Sequence, residues 1–204
     1  MIYHVTNKSI ADFVTFNNEE EFMRMIIAIR YYRSKKPIMS LSQFLKLAQP
    51  NFKENDPHSV NILAYCLMPT HIHLLLKEIE ENGISKFINN TFNSYARYFN
   101  LKHKRKGPLW EGKSKKIKIN SDEQLLHTTR YIHLNPVTAY LVNKPEDWPY
   151  SSYREYMNDI DAEDRICKYS NEIDMGREQY MKFAEYQIPY QRELAKIKAR
   201  MKIT

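Results

Sequence analysis

Two adjoining runs in the middle of the chain, Val60 to Met68 and His71 to Glu78, set the tightest limit on what this sequence can fold into. Both are rich in Val, Ile, Leu and Tyr, and only the turn-forming pair Pro69-Thr70 divides them, so they predict two strands or one bent ribbon. Shorter segments complete the pattern. Ile2 to Thr6 and Asp12 to Phe16 predict two strands joined by a turn near Asn7-Lys8-Ser9, and Lys115 to Ile119 predicts another. Asn18 followed by Glu19-Glu20-Glu21 marks a helix start, because an amide cap and early acids suit the positive end of the helix dipole. That helix carries the apolar stripe Phe22, Met25, Ile26 and Ile29 and ends in the basic stretch Arg30 to Lys36 before Pro37. Ser40 to Ala48 predicts a short helix stopped by Pro50, followed by a polar loop from Asn51 to His58.

Ile84 to about Lys102 predicts a longer helix, with Phe87, Ile88, Phe92, Tyr95 and Phe99 near a 3.6 period. Ser121-Asp122-Glu123-Gln124 caps a helix from Leu125 to about Leu134, which Pro136 is expected to end or kink. Strands with two good helices on one face make an α+β sandwich, a ferredoxin-like antiparallel sheet. The natural division is 1–156 for this domain and 157–204 for a hydrophilic, helical C-terminal extension of unknown role.

Composition removes several function classes. The chain has four glycines, Gly83, Gly107, Gly112 and Gly176, which cannot spell a dinucleotide fingerprint, a GxxxxGK phosphate loop or a GxSxG elbow. Cys66 and Cys167 form no CxxC pair, so a disulfide framework and a four-cysteine zinc site are excluded and a reducing cytoplasm is the default expectation. No apolar run approaches the roughly 20 residues that span a bilayer, and no membrane partner is expected.

The net charge is +7, and nearly all of the excess sits between Arg97 and Lys118. Arg97, Lys102, Lys104, Arg105, Lys106, Lys113, Lys115, Lys116 and Lys118 stand there against Glu111 alone. Tyr98, Phe99 and Trp110 are interleaved, with Tyr95 just before. Clustered cations neutralise phosphates and aromatic faces stack bases, so this window points to nucleic acid, with a solvated basic loop, or an anchor for acidic lipid or protein, as the bland readings.

Two constellations carry chemistry. In His71-Ile72-His73 strand alternation puts both imidazoles on one face, where they can share a divalent cation, or be merely half-exposed strand histidines. In Tyr131-Ile132-His133-Leu134-Asn135-Pro136 the phenol and the amide lie four apart on one helix face. Asn135 offers an oxygen that a hard cation accepts, and Tyr131 a phenol that becomes a nucleophile once its proton is taken, unless it is simply core. His133 falls on roughly the opposite side and reads as structural.

These segments resemble the REP-associated tyrosine transposases, relatives of the single-tyrosine HUH transposases. The likeness runs in order through Tyr3-His4-Val5-Thr6-Asn7, Ala64-Tyr65-Cys66-Leu67-Met68-Pro69, His71-Ile72-His73, Tyr95-Ala96-Arg97-Tyr98-Phe99-Asn100, Tyr131 to Val137 and Trp148-Pro149-Tyr150-Ser151-Ser152-Tyr153. The resemblance implies the palm of HUH nucleases, with His71, His73 and Asn135 holding Mg²⁺ or Mn²⁺ and Tyr131 as nucleophile. It implies cleavage and rejoining of a single-stranded DNA hairpin through a 5′-phosphotyrosine. A monomer or homodimer, in the cytoplasm at the nucleoid, is the accompanying expectation. Thr6-Asn7-Lys8-Ser9 departs from the usual Thr-Asn-Arg-Gly turn, and Thr70 stands where asparagine is common. Two other classes remain. A non-catalytic nucleic-acid-binding module would have Tyr131 as core, and a metal-dependent hydrolase would use water instead of the phenol.

Overall fold

Two faces of one sheet, each covered by helices, organise the chain. The computed structural model describes residues 1–35, 37, 39–47, 52 and 57–201, with side chains through 197. In order come β1 (Ile2–Lys8), α1 (Glu19–Tyr32), α2 (Leu41–Phe44), β2 (Val60–Met68), β3 (His71–Glu78), α3 (Gly83–Lys102), β4 (Lys115–Ile119) and α4 (Asp122–Thr138). The chain then adds α5 (Tyr153–Tyr156), α6 (Arg177–Glu185) and α7 (Ile188–Met201). The strands lie in the order β2-β3-β1-β4, every neighbouring pair antiparallel, which is the ferredoxin-like arrangement expected from the sequence.

Side-chain alternation assigns each strand residue to one of two cores. Val5, Ile62, Tyr65, Leu67, Ile72, Leu74 and Leu76 face α1 and α3, whose Phe22, Met25, Ile29, Phe87, Phe92, Tyr95 and Phe99 fill the first core. Ala64, Cys66, Met68 and Leu75 face the other way, against Leu125 and Ile132 of α4, Tyr153 and Tyr156 of α5, and Tyr180 and Ala184 of α6. A register shift between Ile62 and Ala64 adds Leu63 to this second core, because a bulge leaves one extra residue unpaired. The two helices on one face are therefore α1 and α3, and the second face is also covered. Burial on both sides explains why β2 and β3 read as continuous apolar runs.

The entry to α3 depends on a glycine. A Cβ on Gly83 would lie 2.4 Å from the Ser59 carbonyl oxygen, which also accepts the N–H groups of Ile79 and Glu80. At the other end Glu21, fully buried, accepts from the Asn17 N–H and side-chain amide and pairs with His103 at 2.6 Å, tying the start of α1 to the end of α3.

The expected strand from Asp12 to Phe16 is not formed. Both edges of β1 are already taken by β3 and β4, so no edge is left for a hairpin partner. The segment instead makes a 3-10 turn at Ile10–Asp12, with Ala11 and Asp12 at positive φ, and the Thr15 and Phe16 N–H groups donate to the Pro69 carbonyl. Nor does Pro136 end its helix, since α4 runs on to Thr138. A proline this close to a helix C-terminus removes one of the last hydrogen bonds only. The helix expected from Ser40 is formed over Leu41–Phe44 with a capping box between Ser40 and Gln43. Its expected end at Ala48 and Pro50, and most of the loop from Asn51, lie outside the described residues.

The C-terminal extension is helical, as expected, and its side chains join the second core. Tyr180 is 1% exposed and its hydroxyl lies 2.6 Å from Nδ1 of His133 on α4. The Lys168 N–H donates to the Ile62 carbonyl, Glu172 pairs with Lys77, and the Arg192 guanidinium donates to the carbonyls of Val137 and Val142. Among the described residues no helix is long and apolar enough to cross a membrane.

Tyr180→Ala should accordingly cost about 3 kcal/mol or more in urea unfolding, since it empties a buried ring site and strips a hydrogen-bond partner from His133. A loss below about 1 kcal/mol would mean that α6 is peripheral to the core.

Candidate active site

His71 and His73 share the face of β3 that looks toward α4, while Ile72 between them is fully buried in the first core. Antiparallel register then fixes what surrounds them. His71 lies opposite Lys8 and Met68, and His73 opposite Thr6 and Cys66. Thr6 faces Lys115 on its other side, and one pair further along Leu75 faces His4, which faces Ile117. One patch of sheet thus carries three imidazoles, with Lys8 and Lys115 at its margins.

Hydrogen bonds lock the imidazoles. Nδ1 of His71 sits 3.1 Å from Oγ1 of Thr70, and Nδ1 of His73 sits 3.0 Å from Nε2 of His4. His73 is 5% exposed, and its Nε2 is buried with no hydrogen-bond partner. Burial pushes all three basicities down. His4 falls to about 4 with help from Lys115, His71 to about 4 with help from Lys8, and His73 lies well below the usual histidine range, lowered further by its two imidazole neighbours and Lys8. At neutral pH all three rings are uncharged.

The helix α4 brings the phenol to this patch. Ser121 caps it by accepting from the Gln124 N–H, and Leu125 and Ile132 anchor its inner face in the second core. Tyr131, on the flank of that face, is 39% exposed. Its ring meets His73 edge-on at 5.5 Å and 88°, and His4 at 6.0 Å and 76°. Burial raises the phenol above its ordinary value, and the Asn135 amide works in the opposite direction. Tyr131 is therefore protonated at neutral pH. Asn135 follows one helical turn later, and its Nδ2 donates to the Tyr131 carbonyl at 2.8 Å, so the other branch of the amide, Oδ1, is the one available to a cation. His133 points the other way, fully buried between Tyr180 and the Ser152 Oγ at 2.7 Å, which is the structural role its position predicts.

The residues present fit a divalent cation. Each of His71 and His73 is held through Nδ1, which leaves Nε2 as the atom able to ligate, and the neutral rings are the ligating form. The unpartnered buried Nε2 of His73 is the group that such an ion would satisfy. Among the described residues no three His, Cys, Asp or Glu side chains gather for a metal, so any further ligand would come from outside those four residue types, and the amide of Asn135 is the one expected from the sequence.

The basic window is divided by the fold. Lys115 lies on the histidine face, whereas Lys116 and Lys118 lie opposite Val5 and Tyr3 and belong to the α3 face, where Lys116 donates to Ser85. Lys102 is engaged by Glu20 at 2.7 Å and Glu21 at 3.5 Å, and Arg105 by Asn100 and by the carbonyls of Gly107 and Pro108. Arg97 lines a cleft of about 450 Å³ between α1 and α3 with Tyr32, Asn89, Asn90 and Asn93. Lys104, Lys106 and Lys113 are exposed around the intervening turn. The interleaved aromatics are mostly core. Tyr95 and Phe99 are fully buried and offer no stacking face, whereas Tyr98 is half-buried, and so is Trp110, which donates its indole N–H to the Phe92 carbonyl. His4 and Lys8 were not singled out by sequence reasoning; the signal that could have found them is strand alternation, which aligns positions 4, 6 and 8 on one face.

Comparison with known proteins gives a family and a fold. The family profile described as Transposase IS200 like matches residues 26–135, a span holding His71, His73, Tyr131 and Asn135. A Haemophilus influenzae protein assigned by name to the REP-associated tyrosine transposases is 28% identical over 134 residues, 60% of this chain and 74% of that protein. A solved REP-associated tyrosine transposase bound to a REP hairpin superposes with a TM-score of 0.52 at 16% identity, covering 82% of this chain and 86% of that one, a likeness of fold.

In an NMR titration of the free protein, His4 and His71 should protonate near pH 4. Unfolded histidines take up protons near 6.5, so acidification between those values removes stability from the native state. Ring resonances that move with a midpoint near 6.5 would contradict the burial argument.

Proposed function

The chain belongs to the family of IS200-like transposases, and on that footing we propose that it cleaves and rejoins single-stranded hairpin DNA through a covalent bond to Tyr131. The observation that carries the reading is the convergence of Tyr131 on the His71–His73 face, its ring edge-on to His73 at 5.5 Å. The phenol attacks the scissile phosphorus in line. A bond forms between the tyrosine oxygen and phosphorus, the bond from phosphorus to the 3′ oxygen breaks, and the product is a 5′-phosphotyrosine with a free 3′-hydroxyl. The phosphodiester energy is retained in the covalent link, so rejoining needs no nucleotide, consistent with the missing phosphate loop. Mg²⁺ or Mn²⁺ held by His71, His73 and Asn135 would polarise a non-bridging oxygen and neutralise charge in the transition state. Because the phenol starts protonated, its proton must pass to an acceptor during attack, and Lys8 and Lys115 supply positive potential where the phosphate would sit.

Tyr131→Phe removes only the oxygen and keeps the ring against His73 and His4. It should fold, bind a hairpin about as well as the parent and give no cleavage and no protein–DNA adduct on denaturing gels run after incubation with Mn²⁺. Cleavage that persists without an adduct would favour a hydrolase using water, and binding with no cleavage by the parent would favour a non-catalytic module.

The cations should divide by their internal partners. Replacing Lys104 and Lys106 by Ala should lower the salt slope of single-strand binding by about 0.7 for each phosphate no longer neutralised, whereas Lys102→Ala, already paired with Glu20, should leave it nearly unchanged. Equal effects would mean that the carboxylates do not divert Lys102 from the DNA.

A further inference from the structure

The histidine neighbours of the candidate cation site are not equivalent. His4 and His73 have ring centroids 5.3 Å apart and planes 20° apart, with Nε2 and Nδ1 separated by 3.0 Å. That centroid spacing is what two five-membered rings give when they meet end to end across a hydrogen bond of this length, so the lone-pair axis of each nitrogen points at the other. His4 is thereby directed at a ring nitrogen of His73 and not at the space next to its Nε2. A neutral imidazole has one N–H and one bare nitrogen, so the contact has two solutions. If His4 donates, the His73 proton sits on Nε2, and a buried N–H faces nothing that can accept it. If His73 donates, Nε2 is bare, and the same buried atom becomes a metal-ready lone pair.

We propose that His4 is a positioning residue for His73, accepting its Nδ1 proton and so fixing the ring orientation and the tautomer that presents a bare Nε2 to a divalent cation. The proposal rests on the metal-dependent reading of the site and adds to it a residue that touches neither cation nor DNA. Thr70 serves His71 in the same sense, its hydroxyl oxygen lying 3.1 Å from Nδ1. The two devices differ in permanence. Thr70 adjoins His71 in the chain, whereas His4 reaches His73 across the β1–β3 ladder, 69 positions away, and is held there by the strand register. A partner that accepts from a ligating imidazole raises its basicity as well as orienting it, and loss of such partners typically weakens metal binding by about 10- to 100-fold.

The test has two arms. In the metal-free protein, ¹⁵N NMR of the imidazole nitrogens reads the tautomer directly, with no variant and no activity involved. His73 protonated at Nδ1 is expected, and protonation at Nε2 would overturn the proposal. In the second arm Mn²⁺ alone is titrated and followed by electron paramagnetic resonance. His4→Leu should bind Mn²⁺ about 10- to 100-fold more weakly than the parent. His4→Gln, whose amide oxygen falls near the place of Nε2 and can accept the same proton, should recover most of that loss. Equal Mn²⁺ affinity in parent and His4→Leu would refute the positioning role, and so would a loss in His4→Leu that His4→Gln leaves unrepaired. A parent that binds no Mn²⁺ would instead overturn the metal reading, while the tautomer arm would still decide the His4–His73 contact.

Discussion

Everything at the candidate site depends on the strict alternation of β3. The strand is central, hydrogen-bonded on one side to β2 and on the other to β1, so its register is held from both edges. Ile72, Leu74 and Leu76 turn into the first core and pin the phase of the strand. With that phase set, His71 and His73 have no choice but the other face. A slip of one residue would bury both imidazoles in the apolar core under α1 and α3 and force Ile72, Leu74 and Leu76 into the differently shaped second face, and the cost of that exchange keeps the pair in place.

The second face does two jobs along its length. Toward α5 and α6 it is an ordinary core, where Leu63, Ala64, Cys66 and Leu75 meet α4 and the C-terminal helices. Toward Lys8 and Thr70 it opens into the polar patch of imidazoles. The helix α4 spans both regions. Its Ile132 and His133 are fully buried and fasten it to the sheet and to Tyr180, while Tyr131 and Asn135 emerge on the flank that faces the histidines. The position of the phenol is therefore set by packing on the far side of the same helix, and the C-terminal extension contributes to that packing through Tyr180 and Arg192.

Much of this was legible in the sequence because the signals are local. The His71–His73 pair needs only period-two alternation, and Tyr131 with Asn135 only the helical repeat. The strands Val60–Met68 and His71–Glu78 are bounded by their own turn at Pro69-Thr70. What escaped was decided by partners distant in the chain. His4 acquires meaning from a strand 69 positions away. Asp12 to Phe16 has reasonable strand composition, but β1 has no free edge to offer it. The charge window is continuous in sequence, yet β4 splits its lysines between two faces, and Glu20 and Glu21 claim Lys102 from another helix. The interleaved rings Tyr95 and Phe99 belong to the first core, which composition alone could not separate from a stacking surface.

The central claim is that one phenol, on α4, becomes covalently joined to DNA. The most direct measurement is mass spectrometry of the peptides released after the protein is incubated with a 5′-extended single-stranded hairpin and Mn²⁺, then digested with protease and nuclease. The account predicts a nucleotide linked through its 5′-phosphate to the peptide containing Tyr131, and to no other tyrosine. A nucleotide on Tyr98, Tyr140 or Tyr150, or cleaved DNA with no modified peptide, would contradict it.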